Sequence, residues 1–457
     1  MKLRLLPLTI GLVMGAVAVP LSTQAAEAPA SNSALLVTTG NSLEDFFTAT
    51  INNSPELAIA RERWNIGTAR KDQATGQLLP QIAATGTVSD NDRTDANGSS
   101  TYRGERYGVS VSQVLFHWQA FQARKQASLL EDQSEAEYYA TLANLLTEIA
   151  DRYLQVLQAE DALRSINSEL EAMNNQLNQV QTLYNLQLAR ITDLYETQAR
   201  LAAVEANKVS LEAEVTIRRE TLRAASGIEV GALRRLPEEI TITPLQEDLN
   251  VWLQRTRDNN KELEAGRYAL LAADRQVSAA RGTYMPQVSL VYQYQDSNVG
   301  FDNQSLNQNA ETNYIGVNVQ VPVFAGGANR ARVREAFSMR NIAESQLRQT
   351  EMDLLERTRI AYFQVLAGES RIKAAQVLAE STATSFEAMQ RGYELGTVTT
   401  VDVLNALRDQ FAAERDLQQA RYDHIRAQLA LRRDSGSLTA DDIMDISSMM
   451  NAPPLNP

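Results

Sequence analysis

The chain of 457 residues contains no cysteine. That excludes disulfides, thiolate metal sites and an N-terminal lipid carried on cysteine. Histidine is nearly absent as well: His117 and His424 stand far apart in sequence. With no P-loop and no dinucleotide fingerprint beside them, the chain reads as no enzyme and as needing no cofactor or metal. Basic residues are outnumbered, 43 against 56 acidic, for a net charge of −13. A nucleic-acid partner would call for a basic face, so none is expected. Beyond the first two dozen residues, no stretch is apolar enough to span a bilayer as a helix. Any membrane-embedded part must therefore be made of strands.

One further absence organises the rest. The chain holds 21 glycines and 12 prolines, yet none lies between Val109 and Ser226. From Trp118 this run carries an apolar heptad: Leu142, Ile149, Val156, Leu163, Leu170, Leu177 and Tyr184, with Leu145, Ala159, Ile166, Met173 and Val180 between them. That spacing keeps one seam turned toward a neighbouring helix, as in a coiled coil. A helix from Trp118 to Asn185 would be roughly 100 Å long at 1.5 Å per residue. No ordinary globular core needs such a rod.

The start, Met1-Lys2-Leu3-Arg4, leads into an apolar core ending at Val19 and then Ser22-Thr23-Gln24-Ala25-Ala26. This pattern predicts a secretory signal peptide over 1–25, cut after Ala25 or Ala26. The core is too short for a membrane anchor. Loss of Lys2 and Arg4 moves the net charge from −13 to −15.

Residues 26–41 read as an extended lead-in. Ser42 can cap a helix, with Asp45 in its first turn. Asn53-Ser54-Pro55 interrupts that helix and starts another, which Pro80 ends. The same passage then recurs. Glu56-Leu57 and Leu79-Pro80-Gln81 match Glu262-Leu263 and Met285-Pro286-Gln287 at an offset of 206; Gly108 and Phe116 match Gly316 and Phe324 at 208. Tyr153-Leu154-Gln155-Val156-Leu157 matches Tyr362-Phe363-Gln364-Val365-Leu366 at 209, as Tyr184 and Asp193 match Tyr393 and Asp402. The offset drifts in one direction only, with insertions in loops: a tandem duplication. It divides the chain into a first repeat, 42–226, a connector, 227–247, a second repeat, 248–434, and a tail, 435–457, whose proline-rich end should be disordered.

Each repeat reads helix, strand, loop, strand, long helix, turn, helix. The strands are expected at 81–90, 107–116, 287–296 and 314–324. There the period becomes two: Val288, Leu290, Tyr292 and Tyr294 oppose Ser289, Gln293 and Gln295, and Ile315, Val317, Val319, Val321 and Val323 oppose Asn318 and Gln320. A barrel wall alternates in this way, lipid outside and water inside, but so does an ordinary half-buried sheet. The polar segments Asn91–Arg106 and Ser297–Asn313 read as long surface loops. Four strands cannot close a barrel, and open edges cannot sit in lipid. Such barrels have at least ~8 strands, so several chains must share one.

In the second repeat Gly392, Gly396 and Thr397-Val398-Thr399-Thr400-Val401 mark a turn near 395–401, and Asp402 opens the next helix. The first repeat has Gln187 where Gly396 stands, and only Ile191-Thr192-Asp193 hints at its turn near 186–192. The duplication places it.

These residues resemble the TolC family of outer-membrane efflux proteins. The motifs are Leu79-Pro80-Gln81, Gln320-Val321-Pro322-Val323-Phe324-Ala325-Gly326-Gly327, Gly392-Tyr393-Glu394-Leu395-Gly396-Thr397 and Val401-Asp402-Val403-Leu404, with Tyr184-Asn185-Leu186 and Ile191-Thr192-Asp193-Leu194 as first-repeat counterparts. The resemblance implies an α+β membrane protein, a homotrimer with four strands per chain in one twelve-stranded outer-membrane β-barrel. A long periplasmic α-helical coiled-coil barrel continues it, with the connectors as a belt. It also implies an exit duct serving efflux or type I secretion, docked by a periplasmic adaptor (membrane fusion) protein and an inner-membrane transporter of RND or ABC type.

The resemblance further implies a gate at the periplasmic tips. Asp402 takes the place of a ring aspartate at the constriction, and Asn405 that of a second one. Tyr393 should link to Asp193, with Thr192 beside it. Val398 replaces an arginine of the closing network, and Arg190 is the candidate substitute. The tip turns at Leu186, Leu188, Gly396 and Thr397 should receive the adaptor. Capping alone would equally explain Asp402 and Asp193. The rival class is a coiled-coil scaffold without a pore, which would leave the four alternating strands idle.

Overall fold

A computed structural model describes residues 39–95, 98–237, 245, 247–298, 310–439, 447 and 450. The signal peptide, nearly all of the lead-in, the β-like run Ile240-Thr241-Ile242-Thr243 and the proline-rich end lie outside the described residues. Strand β1 (Thr39–Gly40) leads into α1 (Leu43–Asn53), where Ser42 Oγ accepts the Asp45 N–H at 3.2 Å and the Asp45 carboxylate accepts the Ser42 N–H at 2.9 Å. This reciprocal pairing satisfies two of the helix's orphan donors. Ser54 then caps α2 (Pro55–Gly76), with Pro55 in its first turn.

Strands β2 (Gln81–Asp95) and β3 (Gly98–Phe116) follow, then α3 (Trp118–Asn185) and α4 (Ile191–Ser226). A short β4 (Glu229–Val230) pairs in parallel with β1. The second repeat supplies α5 (Leu249–Asn259), α6 (Lys261–Arg281), β5 (Gln287–Ser297), β6 (Ala310–Gln320), α7 (Ala328–Glu394) and α8 (Thr400–Asp434). Among the described residues no helix is long and apolar enough to cross a membrane.

The four long strands form one antiparallel sheet in the order β2-β3-β5-β6. Two sequence expectations are corrected here. The expected loop Asn91–Arg106 is mostly strand, paired continuously from Gln81↔Ser112 to Asp95↔Gly98. Its Asn, Asp, Gly and Ser content signalled a turn, but ladder pairing and contacts such as Thr101 Oγ1 to Asp92 Oδ1 at 2.6 Å prevail over propensity. The fourth strand begins at Ala310 rather than Tyr314 and ends at Gln320 rather than Phe324. Gln320 pairs with Gln287, the first residue of β5, so Val321–Phe324 run past the end of that strand.

Two equivalent bonds tie the rods to the segments that lead into the repeats. Tyr153 donates to the carbonyls of Asn41 (3.3 Å) and Arg234 (3.0 Å), and Tyr362 donates to Glu247 (3.5 Å). Asn41 and Glu247 are themselves 206 residues apart, the offset of the duplication. Around Tyr153 the main core gathers Phe46, Ile149, Leu154, Leu157, Leu222, Leu233, Tyr422 and Leu429 from α1, α3, α4, α8 and the connector. Of the heptad on α3, Leu145, Ile149, Val156, Ala159, Ile166, Met173 and Val180 are buried.

Helix α8 runs antiparallel along α3. Arg415 meets Glu169 at 2.7 Å, the Tyr422 hydroxyl donates to Asp161 at 2.6 Å, and Arg426 meets Asp151 at 2.8 Å. A second apolar cluster, Ile166, Met173, Val204, Leu404, Leu407 and Phe411, fixes α3, α4 and α8 toward the tips. These contacts make the two helical hairpins one packed unit.

Candidate functional site

The hairpin tips are built alike and differ in detail. In the second, Gly396 takes the left-handed conformation at φ +74°. The Thr397 N–H and hydroxyl both return to the Gly392 carbonyl, at 2.9 and 3.0 Å. A Cβ on Gly392 would come within 2.6 Å of Val398 Cγ2. In the first tip the Leu188 N–H returns to the Leu183 carbonyl at 2.8 Å, and Gln187 is the one described non-glycine residue at positive φ, +61°. Its left-handed backbone costs a non-glycine residue roughly 1–2 kcal/mol. The turn spans 186–190 in the first copy and 395–399 in the second.

Both aspartates cap the helices that leave these turns. Asp402 accepts the Thr399 hydroxyl at 2.6 Å and the Thr399 N–H at 3.2 Å, while its own N–H donates to Thr399 Oγ1 at 3.3 Å. The Thr399 hydroxyl and backbone N–H hold its carboxyl below the usual carboxylate range. Asp193 accepts the Arg190 N–H and the Thr192 hydroxyl, each at 3.4 Å. Asp402 is exposed, Asp193 partly so.

Within one protomer these residues do not converge. The Tyr393 hydroxyl makes no hydrogen bond to Asp193; Tyr393 instead contributes its carbonyl to the turn, accepting the Gly396 N–H at 2.9 Å. Arg190 is exposed. Asn405 does have a cross-hairpin partner: Arg200 of α4 reaches its Oδ1 at 3.4 Å while holding Glu196 at 3.1 Å. Nothing local pointed to Arg200, which lies 205 residues from Asn405. Leu395, which the sequence places in the tip motif, is 80% exposed, and Tyr195, to which the sequence reading gave no role, is 63% exposed. With Leu186 and Leu188, also exposed, they give both tips exposed apolar side chains.

A longer pattern runs up α8 from Asp402. Asp409, Asp416 and Asp423 follow at intervals of seven. That period keeps all four on one stripe of a helix in a coiled-coil pair. The corresponding positions of α4, after Asp193, are Arg200, Asn207 and Glu214.

A sequence profile described as outer membrane efflux protein matches residues 48–228 and 252–437, once over each repeat. The chain belongs to the outer membrane efflux protein family. It is 27% identical over 409 residues to the outer membrane protein TolC of Vibrio cholerae, covering 89% of this chain and 93% of that one. To the alkaline protease secretion protein AprF of Pseudomonas aeruginosa it is 24% identical, covering 88% and 85%. Among solved structures, the CusC channel superposes with a TM-score of 0.78 at 17% identity, over 88% and 96% of the two chains. The outer-membrane channel OprN gives 0.75 at 22%, over 87% and 90%. Family membership makes this chain an outer-membrane efflux and secretion channel protein with a periplasmic extension, and not an enzyme.

Proposed function

We propose that three copies of the chain close one barrel and one helical tunnel, and that this duct is the exit of a pump completed by a periplasmic adaptor and an inner-membrane transporter of RND or ABC type. One observation carries the reading. Among the described residues, a four-stranded sheet whose edges, β2 and β6, are both unpaired leads into helices of 68 and 67 residues. Such a sheet is unusable in lipid until other chains close it. The helices, roughly 100 Å long at 1.5 Å per residue, supply reach into the periplasm. The names of its relatives range from protease secretion to pyoverdine export, so both small molecules and proteins are cargo classes for such a duct.

The gate lies at the tips. Asp402 stands on the stripe of α8 that faces the axis, and capping by Thr399 does not conflict with that position. Tyr393 and Asp193 are partners in the closed trimer, with Thr192 beside them and Arg190 in the place of the arginine missing at Val398. Leu186, Leu188, Gly396 and Thr397 receive the adaptor. Single-channel recording in planar bilayers tests this. Asp402→Ala should weaken cation selectivity, and Tyr393→Phe should raise conductance. Unchanged selectivity would remove Asp402 from the constriction; unchanged conductance would remove the tyrosine link. A wild-type protein that gives no channels and stays in the soluble periplasm would favour a scaffold without a pore.

A further inference from the structure

Where the sheet gives way to the long helices, the balance of charge changes sign. The whole chain carries −13. Yet α3 has no acidic residue before Glu131 and carries Arg124 and Lys125, while α7 has none before Glu335 and carries Arg330, Arg332 and Arg334. Arg281, the last residue of α6, also stands at the sheet end of its helix. Lys125, Arg281, Arg330 and Arg334 are exposed, and among the described residues none of them meets a carboxylate. Arg281 instead lies over the Phe337 ring, 5.1 Å from its centroid. The last two turns of α2 and α6 hold the acids Asp72 and Asp274, and Asp274 is already held by Arg340 at 3.2 Å.

The packing shows which way these cations point. Phe116 pairs with Val288, so it lies on the apolar face of the sheet that Val288 shares with Leu290, Tyr292 and Tyr294. Its ring meets that of Phe121, with centroids 6.4 Å apart, so this face runs on into α3. Phe121 and Lys125 are four residues apart and share one side of the helix. Their counterparts at the offset of 209 are Arg330 and Arg334, which follow Phe324 and precede Phe337. The offset holds in the fold, since it also matches Ala120 with Asn329, both of them buried. An apolar strand face, then aromatic rings, then long cationic side chains is the profile of a membrane–water interface.

We propose that Lys125, Arg281, Arg330 and Arg334 form an outward-facing basic girdle that binds the phosphate groups of anionic phospholipids in the periplasmic leaflet of the outer membrane. The proposal rests on the reading that copies close one barrel there, which repeats each cation around the circumference. Heights agree with it. Lys125 and Arg334 lie about 10 and 9 Å along their helices at 1.5 Å per residue. A headgroup layer is about 5–8 Å deep on each side of the hydrocarbon, and long side chains reach back toward it. The N-termini of α3 and α7 stand at the same level with no side chain capping them, so their dipoles add to the positive potential. Each basic residue beside an anionic bilayer strengthens association about fivefold. Arg332 is the internal control: it lies about 160° round α7 from both Arg330 and Arg334 and faces away from the girdle.

Trp118 opens α3 beside this level, whereas Trp64 lies about 18 Å from the end of α2 at 1.5 Å per residue and Trp252 is buried on α5. Quenching of tryptophan fluorescence by brominated acyl chains therefore reports the lipid at the junction. The purified protein is reconstituted in phosphatidylcholine with either brominated phosphatidylglycerol or brominated phosphatidylcholine. Wild type should bind the phosphatidylglycerol about fivefold more strongly. The combined variant Lys125→Gln, Arg330→Gln, Arg334→Gln should lose that preference, and Arg332→Gln should keep it. If the combined variant does not assemble, Arg334→Gln alone against Arg332→Gln reads the same contrast. No preference in wild type, a preference that survives the girdle substitutions, or an equal loss in Arg332→Gln overturns the girdle and leaves the shared barrel standing. Wild-type fluorescence that neither brominated lipid quenches overturns the reading beneath it.

Discussion

The two helical tips are copies of one design, and they have parted in both backbone and charge. The second turns on Gly396, which takes positive φ freely, and its returning helix α8 presents carboxylates at 402, 409, 416 and 423. The first forces Gln187 into the same conformation, and α4 presents Asp193, then arginine, asparagine and glutamate. Duplication preserved the geometry, since Tyr153 and Tyr362 still hold equivalent carbonyls, while the solvent stripe of each returning helix changed. In the proposed duct, α8 is the returning helix assigned to the axis. Only one stripe kept a uniform sign.

The packing of the two copies also differs between Glu169 and its counterpart Leu378. Glu169 is buried against Arg415, whereas the matching Leu378 is 48% exposed. Glu169→Ala leaves Arg415 without its partner and should destabilise by about 2 kcal/mol, discounted because Arg415 keeps some contact with water. Leu378→Ala should stay within about 0.5 kcal/mol. Urea unfolding of the two variants checks the contrast, and equal losses would erase it.

A smaller effect distinguishes α8 from α4 by pH. His424 is buried on α8, where the first repeat has Val215, and burial lowers its pKa from 6.5. A base that is harder to protonate folded than unfolded contributes full stability above about 6.5. That contribution falls away as pH drops below this value toward the depressed folded pKa. Glu369 and the Val365 carbonyl, facing it from α7, oppose the shift. His424→Leu should therefore flatten the loss of stability between neutral and mildly acidic pH, as read by thermal melts. An unaltered slope would assign the acid sensitivity elsewhere.

The smallest effect lies in the turns. Gln187→Gly should stabilise by about 1 kcal/mol through relief of left-handed strain, and Gly396→Gln should cost a similar amount. Opposite signs in matched unfolding curves are the expected result; the same sign would mean that the two turns are not equivalent.

Much of this was legible before the fold. The duplication, the Ser42 cap, the break at Asn53-Ser54-Pro55 and the concealed turn near Arg190 follow from spacing and residue chemistry. The long β2–β3 hairpin was not, because its outer half is polar on both faces and carries no alternation for ladder pairing to reveal. Phe324 was read into the fourth strand because the alternation runs on to Val323 and Phe324 matches Phe116, the last residue of β3, yet among the described residues one chain offers it no strand partner. Arg200 escaped notice for a similar reason: its contact with Asn405 joins two repeats, and no local pattern encodes it. The Tyr393–Asp193 link, which comes from the family resemblance, is absent within a protomer and stands as a proposal about the trimer.

The claim that three copies form a channel lined by the α8 stripe has one direct test. Asp416→Cys and the matched Asn207→Cys place single thiols on the two stripes, and a negatively charged thiosulfonate reagent is added during single-channel recording. The account predicts an abrupt, thiol-dependent change of current for residue 416 and none for residue 207. Equal responses at both positions, or a response at 207 alone, would contradict it.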